Sequence, residues 1–107
     1  MASEIEVTVT GRRSGREISN PVWFVQEEDK LYLLPVRGSD TQWYRNVVKN
    51  PTIRVAADGA ERTAQATPIT DPAAVAEVEH KFRAKYGDAN VDRYYPKRDV
   101  AVEVPLV

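Results

Sequence analysis

Residues 5–16 read Ile5-Glu6-Val7-Thr8-Val9-Thr10-Gly11-Arg12-Arg13-Ser14-Gly15-Arg16. Ile5, Val7 and Val9 alternate with Glu6, Thr8 and Thr10, the two-residue period of a strand with one buried face. The alternation stops at Gly11, and Arg12 to Gly15 form a turn into a second strand-like run. Gly11 and Gly15 permit a tight backbone path and the close approach of a bound group. Three guanidinium groups gather on this loop with no acid among them, and their planar forks pair bidentately with phosphate or carboxylate. A solvated surface hairpin accounts for the same pattern, so the motif suits an anion without requiring one.

Outward from this hairpin, β signals dominate the first half. Residues 18–26 carry Val22, Trp23, Phe24 and Val25; Glu27-Glu28-Asp29 mark a turn, and Leu31-Tyr32-Leu33-Leu34 complete a three-stranded meander. Pro21 has no N–H to give a sheet and therefore calls for an edge position or a bulge. Trp23 and Phe24 lie on opposite faces of their strand, so one turns inward and the other is left for a ligand or a second subunit. Residues 52–57 and 62–67 read as a hairpin around Asp58-Gly59, and Val100, Val102 and Val104 alternate as a last strand. Six strands are expected.

Two helices interrupt this background. The longer has Asp71 as cap, Pro72 at its first position and Gly87 at its end, with Val75, Val78, Phe82 and Tyr86 on one buried face. It is expected to cover one end of a barrel, with His80 off that face and in solvent. The shorter spans 41–48, capped by Ser39 or Asp40 and stopped by Asn50-Pro51. Trp43 and Val47 are one helical turn apart, and Tyr44 pairs with Val48 on the adjacent stripe, which reads first as packing against the sheet. Because Arg37-Gly38 precede this helix, its start is expected to offer unpaired backbone donors and the positive dipole end beside a further arginine. A simple chain turn with an exposed Arg37 is the plainer reading. An aromatic ring next to an anion-binding turn suits a nucleotide-like or flavin-like cofactor.

The chain has 107 residues, the size of one domain, so a large ligand is expected in a groove or between subunits, and a homodimer is a serious option. A net charge of -1 disfavours a general nucleic-acid binder, including a barrel for single strands that combines aromatics with arginines. There is no cysteine and one histidine, which leaves no thiol nucleophile, no usual Ser-His or Cys-His machinery and no expected metal site, and fits a reducing cytoplasm. Glu27-Glu28-Asp29 read as turn solubility, and Asp88, Asp92 and Asp99 as loop and cap residues whose spacing matches no calcium loop. Met1-Ala2-Ser3-Glu4 show no targeting pattern and no run approaches about 20 apolar residues, so a cytoplasmic protein without a membrane span is expected.

Several blocks in order carry a resemblance: Thr10 to Arg16, Asn20-Pro21-Val22, Leu31 to Val36 leading into Arg37-Gly38-Ser39, Gln42-Trp43-Tyr44-Arg45-Asn46, and Asn50-Pro51. Over roughly residues 7–59 the chain resembles the deazaflavin-dependent nitroreductase family. That resemblance implies a mainly β (α+β) fold, a six-stranded split β-barrel related to proteins that bind flavin mononucleotide (FMN), with one short and one longer helix in a single domain over residues 1–107. It also implies the deazaflavin coenzyme F-420, whose lactyl phosphate and oligoglutamate tail are strongly anionic. Carried over position by position, Arg12, Arg13 and Ser14, with Arg16 as a helper, would hold the tail. Asn20, Pro21 and Val22 would lie beside the ring system; Pro35, Val36, Arg37 and Gly38 would add backbone and cation contacts; Trp43 and Tyr44 would complete the site.

The implied activity is hydride transfer from reduced F-420 to a quinone, nitro compound or activated enone, with the protein orienting donor and acceptor and Tyr44, another tyrosine or water giving the proton. Longer members carry an N-terminal helix that encloses substrate, whereas here the first strand starts almost at Met1; the substrate side is then open or completed by a partner chain. Those members also use late tyrosines near the substrate, where this chain has Ala89, with Tyr94 and Tyr95 as spatial substitutes. Two alternatives stand beside this reading: an FMN-binding oxidoreductase, and a noncatalytic carrier of a deazaflavin or another apolar ligand.

Overall fold

A computed structural model describes residues 4–57 and 59–106. Asp58 of the expected Asp58-Gly59 turn and the N-terminal Met1-Ala2-Ser3 lie outside these residues. The alternating run at the N-terminus forms β1 (Glu4–Thr10), which pairs antiparallel with β2 (Glu17–Glu27) from Glu4↔Trp23 to Thr10↔Glu17. β3 (Lys30–Leu33) follows, then α1 (Gln42–Lys49), β4 (Thr52–Ala57), β5 (Ala60–Gln65), β6 (Thr67–Ile69), α2 (Pro72–Tyr86), α3 (Asp88–Tyr94) and β7 (Ala101–Pro105). The strands form one curled antiparallel sheet in the order β5-β4-β1-β2-β3-β7-β6.

Seven strands therefore replace the expected six, and three helices the expected two. The run expected over 62–67 breaks at Ala66, whose N–H leaves the ladder and donates to Pro51 O at 2.8 Å. Before the break β5 pairs with β4; after it β6 pairs with β7, and Pro68 is accommodated because β6 is the last strand of the sheet. The extra helix α3 begins after Gly87, whose φ of 93° ends α2. Only Val91 of α3 is buried, so the segment has no apolar stripe to read, and Asp88 and Asp92 belong to this helix instead of a loop.

Burial falls on both faces of the sheet. Val7, Val9, Phe24, Leu33, Ile53, Val55, Val102 and Val104 fill the barrel interior together with Trp43, Tyr44 and Val47 of α1. On the opposite face Val25, Leu34 and Ala101 pack against Val78 and Phe82 of α2 and against Val91 and Tyr95. Helix α2 thus lies along the outer face of β2 and β7 and not over a barrel end, because Phe24-Val25 and Ala101-Val102 are apolar on both sides of their strands. The Asp71 carboxylate accepts from Ala74 N at 3.0 Å and caps this helix.

The second half of β3's neighbourhood positions the site. β3 covers β2 only from Phe24 to Glu27, while β1 covers β2 from Glu17 to Trp23. Residues 17–23 of β2 therefore have a strand on one side only, and Pro21 sits within this one-sided stretch, where a missing N–H costs no ladder bond.

Candidate functional site

The loop from Gly11 to Arg16 is closed by Gly11 N–H donating to Arg16 O at 2.7 Å and Gly15 N–H donating to Gly11 O at 2.9 Å, with Gly15 at φ 72°. It is fastened to α1 by Arg12. The backbone N–H of Arg12 and its Nη1 both donate to Asn46 Oδ1, at 3.0 and 2.8 Å, and its Nη2 donates to Gln42 Oε1 at 2.9 Å. Asn46 is buried, so this double bond fixes the loop on the barrel. Both acceptors are neutral amides, which orient the guanidinium and leave its charge uncompensated. Arg13, Ser14 and Arg16 are exposed, and among the described residues no carboxylate pairs with Arg12, Arg13 or Arg16. Glu17, the acid next to Arg16, is bound by Arg54, whose hydrogen bond and charge hold that carboxyl below the usual range.

The second expected anion site is built differently. Arg37 N–H donates to Thr41 Oγ1 at 2.8 Å, and Gly38 to Asp40 form a short 3-10 turn ahead of α1. Asp99 fills the position an external anion would take: its Oδ1 accepts from Ser39 N–H at 2.9 Å and its Oδ2 from Ser39 Oγ at 2.6 Å. Asp40 is held in turn by Lys97 at 2.9 Å and Arg45 at 3.0 Å. Neither Ser39 nor Asp40 caps α1; Thr41 occupies the cap position, without a side-chain bond to the helix. The backbone donors of the turn itself are consequently engaged within the protein, Ser39 N–H by Asp99 and Asp40 N–H by Arg37 O. The Arg37 side chain is exposed and unpaired among the described residues, while Pro35 and Gly38 are buried beneath it.

Between these two turns lies a cleft of about 400 Å³ along the one-sided stretch of β2. Asn20, Pro21, Val22 and Trp23 form one wall, and Leu34, Val36, Thr41 and Trp43 the other. Tyr94 and Tyr95 close it from the end of α3, and Glu4 stands at its rim. Asn20, Pro21, Val22, Val36 and Trp43 are thus brought together as the sequence suggests. Gln42, the partner of Arg12, stands in the chain between Thr41 and Trp43, two residues of the cleft wall, and does not itself line the cleft. From Glu17 at the hairpin end to Asn20 at the cleft is three strand residues, about 10 Å.

Tyr44 does not line the cleft. It is 5% exposed in the barrel core, and burial, with a smaller contribution from the Asp99 charge, raises its phenol above the usual tyrosine range. Tyr94 is the phenol in the cleft with 46% of its surface free. Trp23 turns to the outer face, where it stacks on Tyr86 at 4.3 Å and meets Tyr94 and Tyr95 edge-on at 5.5 and 6.0 Å, while Phe24 faces the barrel core. The sequence left one of Trp23 and Phe24 for a ligand or a second subunit, and Trp23 is the one at the cleft; Leu34 and Thr41 were not placed in this site. The one-sided stretch marked by Pro21 is the signal that points to them, since residues facing an unpaired edge are free to line a groove.

The molecule has a larger hollow, about 980 Å³, whose lining shares no residue with the cleft. The expected binding residues meet at the smaller cleft. Among the described residues no cluster of three or more His, Asp or Glu side chains is placed to hold a metal ion, and no helix is long and apolar enough to cross a membrane.

Solved structures share this architecture. The structure of F420-H2 dependent reductase (FDR-A) is 25% identical, with a TM-score of 0.69, and the match covers 95% of this chain and 93% of that one. A domain-swapped dimer, also 25% identical, matches at a TM-score of 0.70 over 95% of this chain and 79% of that chain. A pyridoxamine 5'-phosphate oxidase-like protein of Listeria innocua matches at a TM-score of 0.63 and 13% identity, over 96% of this chain and 82% of that chain, and shows the fold alone. No curated protein matches the sequence. The fold is thus that of split-barrel oxidoreductase-like proteins, and the match of residues 1–102 to one family model shows that the chain belongs to the family described as "Uncharacterized protein conserved in bacteria (DUF2255)".

Proposed function

We propose that the chain binds the deazaflavin coenzyme F-420 and presents its reduced form to a small electron-poor acceptor: a quinone, a nitro compound or an activated enone. The observation that carries this reading is the junction at the start of α1, where Gln42, the partner of Arg12 in an acid-free arginine loop, stands between two residues that line an aromatic cleft. A bipartite ligand with an anionic tail and a planar head fits that junction. At about 400 Å³ the cleft is within the usual range for small-molecule sites, and its lining is mostly apolar with few polar groups. The likeness to F420-H2 dependent reductase over nearly the full length of both chains supports the same choice.

In this reading Arg12, Arg13, Ser14 and Arg16 hold the tail, with Arg12 pre-oriented by Asn46 and Gln42. Asn20, Pro21, Val22, Val36 and Trp43 hold the ring; Pro35 and Gly38 shape the backbone under it, and Arg37 supplies a cation at its edge. When bound, the reduced coenzyme supplies hydride chemistry to the acceptor. Leu34, Val36 and Trp43 exclude water from the reacting face. Proton delivery falls to Tyr94, because the Tyr44 phenol is buried away from the cleft. A second copy of the chain closes the open side, a role consistent with the domain-swapped neighbour and with a small chain in a reducing cytoplasm.

Parallel equilibrium titration of the full chain with F-420 and FMN tests this, followed by oxidation of the reduced coenzyme with a panel of quinones. Preferential F-420 binding with turnover is the expected result. Preference for FMN overturns the deazaflavin assignment, and F-420 binding without turnover on any acceptor class makes the protein a carrier.

A further inference from the structure

The larger hollow has a readable origin in the strand register. Directly opposed residues of an antiparallel pair share a face, and β4 and β5 oppose Ile53 to Ala64, Val55 to Arg62 and Ala57 to Ala60. β4 therefore sends Ile53 and Val55 into the core, and β5 answers with two alanines and an arginine. Small side chains leave that end of the barrel unfilled, a departure from the dense packing of a finished core. Ile5, Phe24, Leu31 and Val55 line its apolar part.

Two cations stand at this hollow. Arg62 Nη1 donates to Leu106 O at 2.9 Å. Lys85 reaches over from the end of α2; its Nζ donates to Phe24 O at 2.6 Å and lies 3.6 Å from the Phe24 ring centre. Neither cation has a carboxylate partner among the described residues, and burial pushes the Lys85 ammonium below the usual lysine range with no acid to offset it. Glu28 and Asp29 also border the hollow without pairing with either cation.

We propose that this barrel end is a second binding site, for an amphipathic anion: an aliphatic carboxylate whose chain fills the space left by Ala57 and Ala60 and whose head group meets Lys85 and Arg62. The apolar wall accounts for the chain, which gains by leaving water. The cations, which have no carboxylate partner among the described residues, account for the head group, since a neutral head leaves the partly desolvated ammonium without a counter-charge and a cationic head adds repulsion. The site stands independently of the F-420 reading, because the two linings are disjoint.

The probes are decanoate, decanol and decylammonium, titrated into the full chain and followed by backbone amide NMR. Saturable one-to-one binding of decanoate is expected, with shifts at Ile5, Leu31 and Val55 and none at Trp43 or Tyr94, and with decanol bound about tenfold more weakly. Lys85→Met keeps the aliphatic stem and should erase that preference, bringing decanoate to the level of decanol. Ala60→Leu should weaken both ligands by filling the space, and it carries the test if Lys85→Met fails to fold. Absence of saturable binding, equal affinity for decylammonium, or shifts confined to the cleft would each overturn the proposal.

Discussion

Two turns in this protein are made of the same residue types, yet only one of them has a carboxylate bound inside it. Arg12 to Gly15 and Arg37 to Asp40 each join arginine, glycine and serine ahead of a structural element. In the first, distant residues supply neutral oxygens: Asn46 and Gln42 hold Arg12 without cancelling it. In the second, distant residues supply an acid: Asp99 takes both donors of Ser39, and Lys97 and Arg45 then balance Asp40. An amide orients a guanidinium, whereas a carboxylate occupies the place of a ligand. Whether an arginine-glycine-serine turn is a site or a structural joint is decided by which side chain arrives from elsewhere in the fold.

The sharpest way to break this comparison is at Gly38. It sits at φ 54°, and a Cβ built there overlaps Asp99 Oδ1 and presses on Lys97. Gly38→Ala combines left-handed strain with displacement of the Asp99 acceptor, and a loss of about 3 kcal/mol is expected in urea unfolding. A loss below about 1 kcal/mol would mean that the Asp99 joint is not a fixed part of the turn.

At the other turn the expected effect is on binding. Arg13→Gln with Arg16→Gln removes two exposed guanidinium groups that make no ion pair among the described residues. F-420 affinity is expected to fall by about a hundredfold, near 3 kcal/mol for two charge-assisted contacts, while stability changes by less than about 0.5 kcal/mol. Equal losses in affinity and stability would show that these arginines serve folding and would remove the basis for the tail assignment.

Acid separates the turns a second time. Burial by itself would raise the Asp99 carboxyl, but hydrogen bonds from Ser39 Oγ and N–H and the charge of Lys97 bring it below the usual aspartate range. A carboxyl depressed in the folded state contributes stability above its unfolded pKa, about 3.9, and that contribution disappears as pH falls through the lower folded value. Asp99→Asn should therefore be less stable than the wild type at neutral pH, and the two thermal melting curves should converge as pH is taken below about 4. A gap that stays constant in acid would show that the ionised form of Asp99 is not what holds Ser39.

Much of this contrast was legible along the chain, and the remainder had a physical reason to be hidden. β1 and its loop follow from alternation and glycine placement, and α2 from Asp71, Pro72 and Gly87, because all of these are local signals. Pro21 announced a strand edge for the same reason. The break at Ala66 was not legible, since it depends on Pro51 O, fifteen positions earlier, accepting its N–H. Helix α3 offers one buried residue, Val91, and no period. The cleft residues Asn20, Pro21, Val22, Val36 and Trp43 came from ordered blocks of sequence, but Tyr44 was drawn to the site by its neighbour Trp43, although one helical position turns a side chain by about 100° and sends it into the core. Asp99 read as a loop acid because nothing local ties residue 99 to residue 39.

The smallest expected effect lies at Gly15 and separates strain from packing. Gly15 has φ 72°, close to Gly38 in conformation, but a Cβ there meets nothing within 4 Å. Gly15→Ala should cost only the left-handed penalty, about 1 kcal/mol. Asparagine tolerates that conformation, so Gly15→Asn should recover most of the loss. At Gly38 the same exchange should recover little, because asparagine relieves the strain and still places a Cβ against Asp99. Urea midpoints of the four variants test this directly: rescue by asparagine at both glycines would make backbone strain the whole cost at Gly38, and the acid would then be a neighbour of the turn and not its fixed partner.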